Sequence, residues 1–179
     1  MIEARAFKID IDSIRSFLIH DGAVLKGKYE IIDTIYAKKD ASVSLGDEFL
    51  RLRVMPKNIW DEKDVIVSIK QTTPRNIGKV SAIPARVEFD SEEDAVKYVN
   101  DIHLSEYQKD FTFSRVGWQY LLSKGDVVDL EIIAPDYTSV EIKSDTDDGI
   151  AKLAKQLGID SASFIRGPSV VEIKKLLFS

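Results

Sequence analysis

The feature that most constrains the fold of this chain is a strict alternation of aliphatic and charged residues. In the segment EFLRLRV, which spans residues 48–54, leucine and valine alternate with Arg51 and Arg53. Successive side chains of a β-strand point to opposite faces, so such a segment has one aliphatic face and one charged face. The pattern predicts antiparallel strands that bury only one side of their sheet.

The same alternation recurs in five later segments. Their polar members are Ser68 and Lys70, Arg86 and Glu88, Arg115 and Gln119, Asp129 and Glu131, and Glu141 and Lys143. The aliphatic and aromatic positions that we expect in the core are Leu50, Leu52, Val65, Val67, Val87, Phe89, Leu130, Ile132, Val140 and Ile142. On spacing alone, a charged face that simply meets water is the simpler explanation.

Helices are predicted between the strands. Asp10 and Asp12 are candidate N-caps for a first helix, and Ser91 with the acidic residues after it resembles a capping box before a helix over 94–103. A third helix is predicted to end at Gly158, and the last segment, residues 169–176, is predicted to be a strand. Strands in two groups with helices between them are typical of an α+β fold.

Composition excludes several classes of protein. A chain of 179 residues with 44% hydrophobic and 31% charged residues predicts one globular domain over 1–179. The chain has no cysteine, which excludes disulfides and thiolate metal sites. The net charge of −5 argues against nucleic acid as a partner. The N-terminal segment lacks the apolar run of a signal peptide or membrane span, so we expect a cytoplasmic protein with no membrane partner.

Arg51 and Arg53 are the strongest sign of a binding site. Guanidinium groups two residues apart on a strand point the same way and can clamp phosphate oxygens. Carboxylates at Glu3, Glu131 and Glu141 would suit Mg²⁺ or Mn²⁺, which take oxygen ligands and often bridge a protein to phosphates. Scattered surface acids are the alternative explanation for these three residues.

The order of the segments resembles that of the CYTH proteins, the triphosphate tunnel enzymes that include class IV adenylyl cyclases and thiamine triphosphatases. The matching positions are an ExExK-like strand at 3–7, a DxYF-like strand at 33–36, LRxR at 50–53, a strand-ending Lys70, Arg86 before the middle helix and Arg115 after it. The most specific match is a family segment that consists of LD, nine further residues and then ExE. This segment aligns without a gap to residues 130–143. A closing helix and strand also correspond, so the resemblance spans nearly the whole chain.

The resemblance implies an α+β fold in which about eight antiparallel strands form a barrel or tunnel with flanking helices, and in which the charged faces of the strands point inward. It implies a small-molecule polyphosphate or nucleotide as partner, a divalent Mg²⁺ or Mn²⁺ ion, and compatibility with a homodimer. The phosphate-binding residues would be Arg51, Arg53, Lys70, Arg86, Arg115, Arg5 and Lys143, and the metal-binding residues would be Glu3, Glu131 and Glu141.

Three motif positions depart from the family pattern. Arg5 stands in place of the second glutamate of ExExK, Phe7 in place of its lysine, and Lys143 in place of the second glutamate of ExE. Each charge reversal removes an oxygen ligand and places a cation near the expected metal. Three functions stay open: a metal-dependent triphosphate hydrolase, a binding module that does not turn its ligand over, and an adenylyl cyclase. No residue pattern reads an adenine base, which disfavours the cyclase.

Overall fold

Eight strands and four α-helices make up the part of the chain that the computed structural model describes, residues 1–39 and 48–178. The strands are β1 (Ile2–Phe7), β2 (Val24–Lys38), β3 (Glu48–Lys57), β4 (Val65–Pro74), β5 (Lys79–Phe89), β6 (Tyr107–Leu121), β7 (Val127–Ile133) and β8 (Tyr137–Ser144). The helices are α1 (Ile11–His20), α2 (Glu92–Tyr98), α3 (Asp147–Gln156) and α4 (Ser169–Phe178). A π-helical turn, Val99–His103, continues α2, and a 3-10 turn, Ser161–Ser163, precedes α4. None of the helices within the described ranges is long and apolar enough to cross a membrane.

The strands form a closed antiparallel barrel in the order β1-β5-β4-β3-β2-β6-β7-β8. The pairing register keeps polar positions side by side, with Arg51 opposite Ser68 and Ser68 opposite Arg86. Because side chains alternate along each strand, this register turns the charged faces of neighbouring strands to the same side. The predicted α+β barrel with flanking helices is confirmed.

The aliphatic faces of the strands pack outward beneath the helices. Helices α1 and α3 cover β1, β7 and β8, while α2 packs against β3 and β4. Seven of the ten predicted core residues are buried, namely Leu50, Leu52, Val65, Val67, Leu130, Val140 and Ile142. Phe89 and Ile132 are half-buried, and Val87 is 37% exposed, so its predicted burial is wrong. Val87 lies towards the end of β5 that extends beyond β1, where less of the fold covers the strand.

The helices begin where local hydrogen bonding favours them. The side chain of Asp10 accepts a hydrogen bond from the backbone N of Ser13 at 3.1 Å. The Ser91 hydroxyl accepts one from the backbone N of Asp94, also at 3.1 Å. These bonds satisfy amide groups that have no partner within the first helical turn. Ser91 is therefore confirmed as an N-cap, and of the two candidates for the first helix the N-cap is Asp10, whereas Asp12 lies within the first turn.

The closing segment is the helix α4, so the predicted closing strand is wrong. Val170, Ile173 and Leu177 recur at helical spacing and pack against a cluster that includes Phe111. The run SVVEIKKL is short and its apolar residues fit both periods, so periodicity alone cannot distinguish strand from helix here. The start of α4 matters for the interior of the barrel because Ser169 and Val170 help to line its cavity.

The barrel closes at a short seam between β1 and β5, where Glu3 pairs with Lys79. Gly78 precedes this pair with a φ angle of +77°, a conformation that side chains other than glycine rarely adopt. A Cβ atom at Gly78 would lie 2.3 Å from the carbonyl oxygen of Glu3. The seam therefore depends on a residue without a side chain.

We expect Gly78→Ala to destabilise the protein more than Gly125→Ala does. Gly125 has a φ angle of +81°, but a Cβ atom there would meet nothing within 4 Å. Both changes incur about 1–2 kcal/mol of left-handed backbone strain. Only Gly78→Ala adds a clash with backbone, which should cost about 1–3 kcal/mol more. Urea unfolding of both variants measures the difference, and equal losses would show that the seam adapts without strain.

Candidate functional site

The interior of the barrel contains a cavity of about 230 Å³ to which every strand contributes side chains. All ten residues singled out from the sequence line it: Glu3, Arg5, Arg51, Arg53, Lys70, Arg86, Arg115, Glu131, Glu141 and Lys143. Lys79, Asp33, Glu62 and Asp129 complete a lining of eight cations and six carboxylates. The cavity is thus net positive in a chain whose total charge is −5.

Arg5 lies at the centre of the acidic part of the cavity, with only 3% of its surface exposed. Its Nη1 donates to a carboxylate oxygen of Glu131 and, at 2.8 Å, to the Ser139 hydroxyl. Its Nη2 lies 3.1 Å from Oε1 of Glu141. Burial opposes the positive charge of Arg5, but the two glutamates outweigh burial and raise its pKa. Arg5 is therefore a fixed internal cation.

Both carboxylate oxygens of Glu131 have partners. Oε2 pairs with Arg5, while Oε1 accepts a hydrogen bond from the Tyr29 hydroxyl at 2.6 Å and lies 3.1 Å from Nε of Arg115. Burial alone would raise the pKa of Glu131, but Arg115 and Arg5 lower it below its usual range. Glu131 therefore stays ionised and fully paired.

Lys143 links the two remaining carboxylates of this cluster. Its Nζ lies 2.7 Å from Oδ2 of Asp129 and 3.3 Å from Oε2 of Glu141. The other Asp129 oxygen accepts a hydrogen bond from Nε2 of Gln119 at 2.9 Å. Burial lowers the pKa of Lys143, but Glu141 and Asp129 raise it above its usual value. Every oxygen of Asp129, Glu131 and Glu141 thus faces a cation or a hydrogen-bond donor.

Asp33 organises a second cluster on the basic side of the cavity. Arg53 donates two hydrogen bonds to Asp33, from Nε to Oδ1 at 2.8 Å and from Nη2 to Oδ2 at 2.9 Å. Nη2 of Arg115 lies 3.2 Å from Oδ2. Burial would raise the pKa of Asp33, but the surrounding arginines lower it well below its usual value. Arg53 and Arg115 are therefore held by a carboxylate, whereas Nε of Arg51 remains 3.9 Å away from it.

Arg51 and Lys70 are half-buried cations and Lys79 is a buried one, and among the described residues none of the three has a carboxylate at hydrogen-bonding distance. Nε of Arg51 makes no hydrogen bond, and Lys79 donates to the hydroxyl of Ser169. In residues 1–39 and 48–178, no carboxylate oxygen lies within 4 Å of the amino group of Lys70 or Lys79. Burial, with smaller contributions from neighbouring cations, lowers the pKa of Arg51 to about 9 and those of Lys70 and Lys79 to about 8.

Two predicted residues lie apart from both clusters. Arg86 lies at the edge of the cavity, where it pairs with Glu62 and, at 2.9 Å, with Glu88, and its side chain is 35% exposed. Glu3 accepts a hydrogen bond from the Ser81 hydroxyl at 2.9 Å. Both residues line the cavity, but neither joins the ion-pair network around Arg5.

Sequence reasoning missed Lys79, Asp33 and Asp129 as site residues. Lys79 is the first residue of β5 and shares a strand face with Ser81, which also lines the cavity. The alternation along this strand could therefore have identified Lys79 as a lining residue. Asp129 lies on the same predicted charged face as Glu131, but only Glu131 was predicted to be a site residue. Asp33 matched a family motif, but its contact with Arg53 depends on the pairing of β2 with β3.

The arrangement does not fit the predicted divalent metal. The oxygens of Glu131 and Glu141 face cations, and the hydroxyl of Ser81 donates to Glu3. Across the described residues, no group of three histidine or acidic side chains is placed to hold a metal ion. Mg²⁺ and Mn²⁺ need accessible oxygen ligands, and here the cationic groups of Arg5 and Lys143 occupy those oxygens.

Comparisons with known proteins identify the fold. No protein-family model matches the chain, and no curated protein matches its sequence. The PH1819 protein of Pyrococcus horikoshii has a TM-score of 0.71 at 15% identity, with 98% of each chain covered. A candidate adenylate cyclase from Vibrio parahaemolyticus has a TM-score of 0.63 at 11% identity, covering 99% of this chain and 97% of that one.

A third similar structure is a candidate adenylyl cyclase from Hippeastrum that is described as having a dominant triphosphatase activity. Its TM-score is 0.60 at 13% identity, with 93% of this chain and 89% of that chain covered. Likeness at these identities concerns the fold. The chain therefore has the closed-barrel fold of these cyclase and triphosphatase structures, as its resemblance to the triphosphate tunnel proteins predicted.

Proposed function

We propose that the barrel cavity binds a small polyphosphate anion, with inorganic triphosphate as the simplest example. The observation that carries this proposal is the group formed by Arg51, Lys70 and Lys79, which line one cavity, are half-buried or buried, and have no carboxylate at hydrogen-bonding distance in the part of the chain that the structure describes. A buried charge is costly unless it is paired, so such groups are retained where a ligand supplies the opposite charge. Phosphate oxygens are suitable partners for both guanidinium and ammonium groups.

The size of the cavity supports a compact ligand. Its volume of about 230 Å³ is below the usual range of about 300–1,000 Å³ for pockets that enclose drug-sized molecules. A chain of phosphates is narrow and highly charged, whereas a whole nucleotide adds a sugar and a base. The proposal therefore concerns the polyphosphate group, whether it is free or part of a larger molecule that extends outside.

Four of the predicted phosphate-binding residues would divide into two groups. Arg51 and Lys70, joined by Lys79, would contact the anion directly because no carboxylate within the described ranges lies at hydrogen-bonding distance from them. Arg53 and Arg115 would act through Asp33, which fixes their side chains beside Arg51. An anion that reached this side would meet a preorganised group of cations, which lowers the cost of ordering on binding.

A triphosphate phosphohydrolase is the second candidate function. The fold is shared with the Hippeastrum structure that is described as a triphosphatase, and buried cations can stabilise the charge that develops in phosphoryl transfer. Against it, every oxygen of Asp129, Glu131 and Glu141 already has a cation or hydrogen-bond donor as partner. Near this cluster, Glu3 is the carboxylate with the fewest partners. Phosphate release measured alongside triphosphate binding separates a hydrolase from a binding protein.

We expect Lys70→Met to weaken triphosphate binding by about 10- to 100-fold, which corresponds to losing one hydrogen bond to a charged group. The same change should raise the melting temperature of the unliganded protein because it removes a half-buried charge that has no carboxylate partner among the described residues. Calorimetry and thermal unfolding provide the two readouts.

Lys26→Met is the matched control because Lys26 is exposed and does not line the cavity. It should leave both the affinity and the melting temperature nearly unchanged. If Lys26→Met weakens binding as much as Lys70→Met, the anion is attracted by the surface and not held in the barrel.

Binding should also weaken as the pH rises through about 8. Lys70 and Lys79 have pKa values lowered to about 8 in the free cavity, so they are charged below this pH and lose their protons above it. An anion favours the charged forms, and the affinity should fall roughly tenfold or more between about pH 8 and 9.5. Calorimetry across this pH range measures the slope.

The control for pH dependence is the double change Lys70→Arg with Lys79→Arg. A guanidinium group stays charged to a higher pH than an amine at the same position, whereas titration of Arg51 and of the ligand's own phosphates is common to both proteins. The variant's affinity should therefore change much less with pH. Identical slopes in the two proteins would show that neither lysine contacts the anion.

A further inference from the structure

We infer that the cavity takes up its polyphosphate free of divalent metal, because Arg5 and Lys143 occupy the acidic cluster in which an ion would otherwise be held. The inference rests on the proposed polyphosphate binding and specifies the chemical form of the ligand. It follows from three features of the cavity: the pairing of its carboxylates, the charge that remains, and the effect of metal on the ligand.

The carboxylates of the cluster are neutralised within the protein. Asp129, Glu131 and Glu141 supply three negative charges, and Arg5, Arg115 and Lys143 supply three positive charges among them. A divalent ion could gain oxygen ligands here only by displacing one of these cations and lying beside another. Like charges at such separations repel strongly in a buried site.

The charge that remains favours an anion without a metal. Once the acidic cluster, the contact of Arg53 with Asp33 and that of Arg86 with Glu62 are counted as neutral, the charged groups left in the described lining are Arg51, Lys70 and Lys79 and the carboxylate of Glu3. A free polyphosphate brings several negative charges to this group. The same anion complexed with Mg²⁺ brings fewer negative charges, together with a cation to which Asp129, Glu131 and Glu141 offer no unpaired oxygen.

Metal in solution should therefore compete with the protein for the ligand. Mg²⁺ binds phosphate oxygens readily, and each complex that forms lowers the concentration of the free anion. A protein that requires a metal bridge would instead bind more tightly as Mg²⁺ is added. The two cases predict opposite responses to the same titration.

The test is calorimetric titration of inorganic triphosphate into the wild-type protein, once with EDTA and then with increasing Mg²⁺ at constant ionic strength. We expect binding in EDTA and at least a tenfold loss of apparent affinity when Mg²⁺ is in large excess over triphosphate. Unchanged or tighter binding with Mg²⁺ overturns the inference while leaving the proposed function intact. Absence of binding in both conditions overturns the proposed function itself.

A second measurement tests the role of Arg5 and Lys143 without using triphosphate. We expect Mn²⁺ to leave the melting temperature of the wild-type protein unchanged and to raise that of the double variant Arg5→Glu with Lys143→Glu. The matched control, Arg5→Gln with Lys143→Gln, removes the same cations but adds no carboxylate, so its response should be smaller. If Mn²⁺ raises the wild-type melting temperature as well, the cluster is open to metal and the inference fails. This wild-type result decides the point even if a variant does not fold.

Discussion

The structure depends on the pairing of charges inside the barrel. A closed barrel whose strands turn charged faces inward must neutralise those charges, since water cannot solvate them fully. Here Arg5 lies between Glu131 and Glu141, and Arg115 bridges Glu131 to Asp33. The partners come from β1, β2, β6, β7 and β8, so the network ties distant parts of the chain together. Breaking one pair would leave a buried ion uncompensated, which is far more costly than losing a surface salt bridge.

The interior is divided between paired and unpaired cations, and this division determines what the cavity can hold. Arg53 is fixed by two hydrogen bonds to Asp33, whereas Lys70 has no carboxylate within ion-pair distance in the described chain. Ammonium groups shift their pKa more readily than guanidinium groups when buried. The cavity therefore combines rigid arginines that position the site with lysines whose charge responds to pH and to an arriving anion.

Much of the barrel could be predicted from the sequence because its determinants are local. The alternation around Arg51 fixes which side chains share a face, and the N-cap at Ser91 marks a helix start. Spacing alone could not show whether the charged faces point into the barrel or out to solvent, because both arrangements have the same period. The resemblance of motif order supplied that information. The closing helix α4 was missed because its apolar run is too short to separate the two periods.

The site was predictable as a set of residues but not as a set of contacts. The sequence placed Arg5 at a position where the related motif has a carboxylate, but its burial between two glutamates depends on β1 pairing with β8. Likewise, Asp33 acquires its role only when β2 and β3 bring Arg53 beside it. Long-range strand pairing decides which charges meet, and no local pattern encodes that choice.

The seam between β1 and β5 has a consequence for how the protein moves. Among the described residues, one paired position closes the barrel there, and its two members, Glu3 and Lys79, also line the cavity. Thermal opening of the seam would separate the two side chains and move Lys79 away from Arg51 and Lys70. Opening of the barrel and release of a bound anion would then be the same event. The lifetime of the complex would therefore be limited by how often this seam opens.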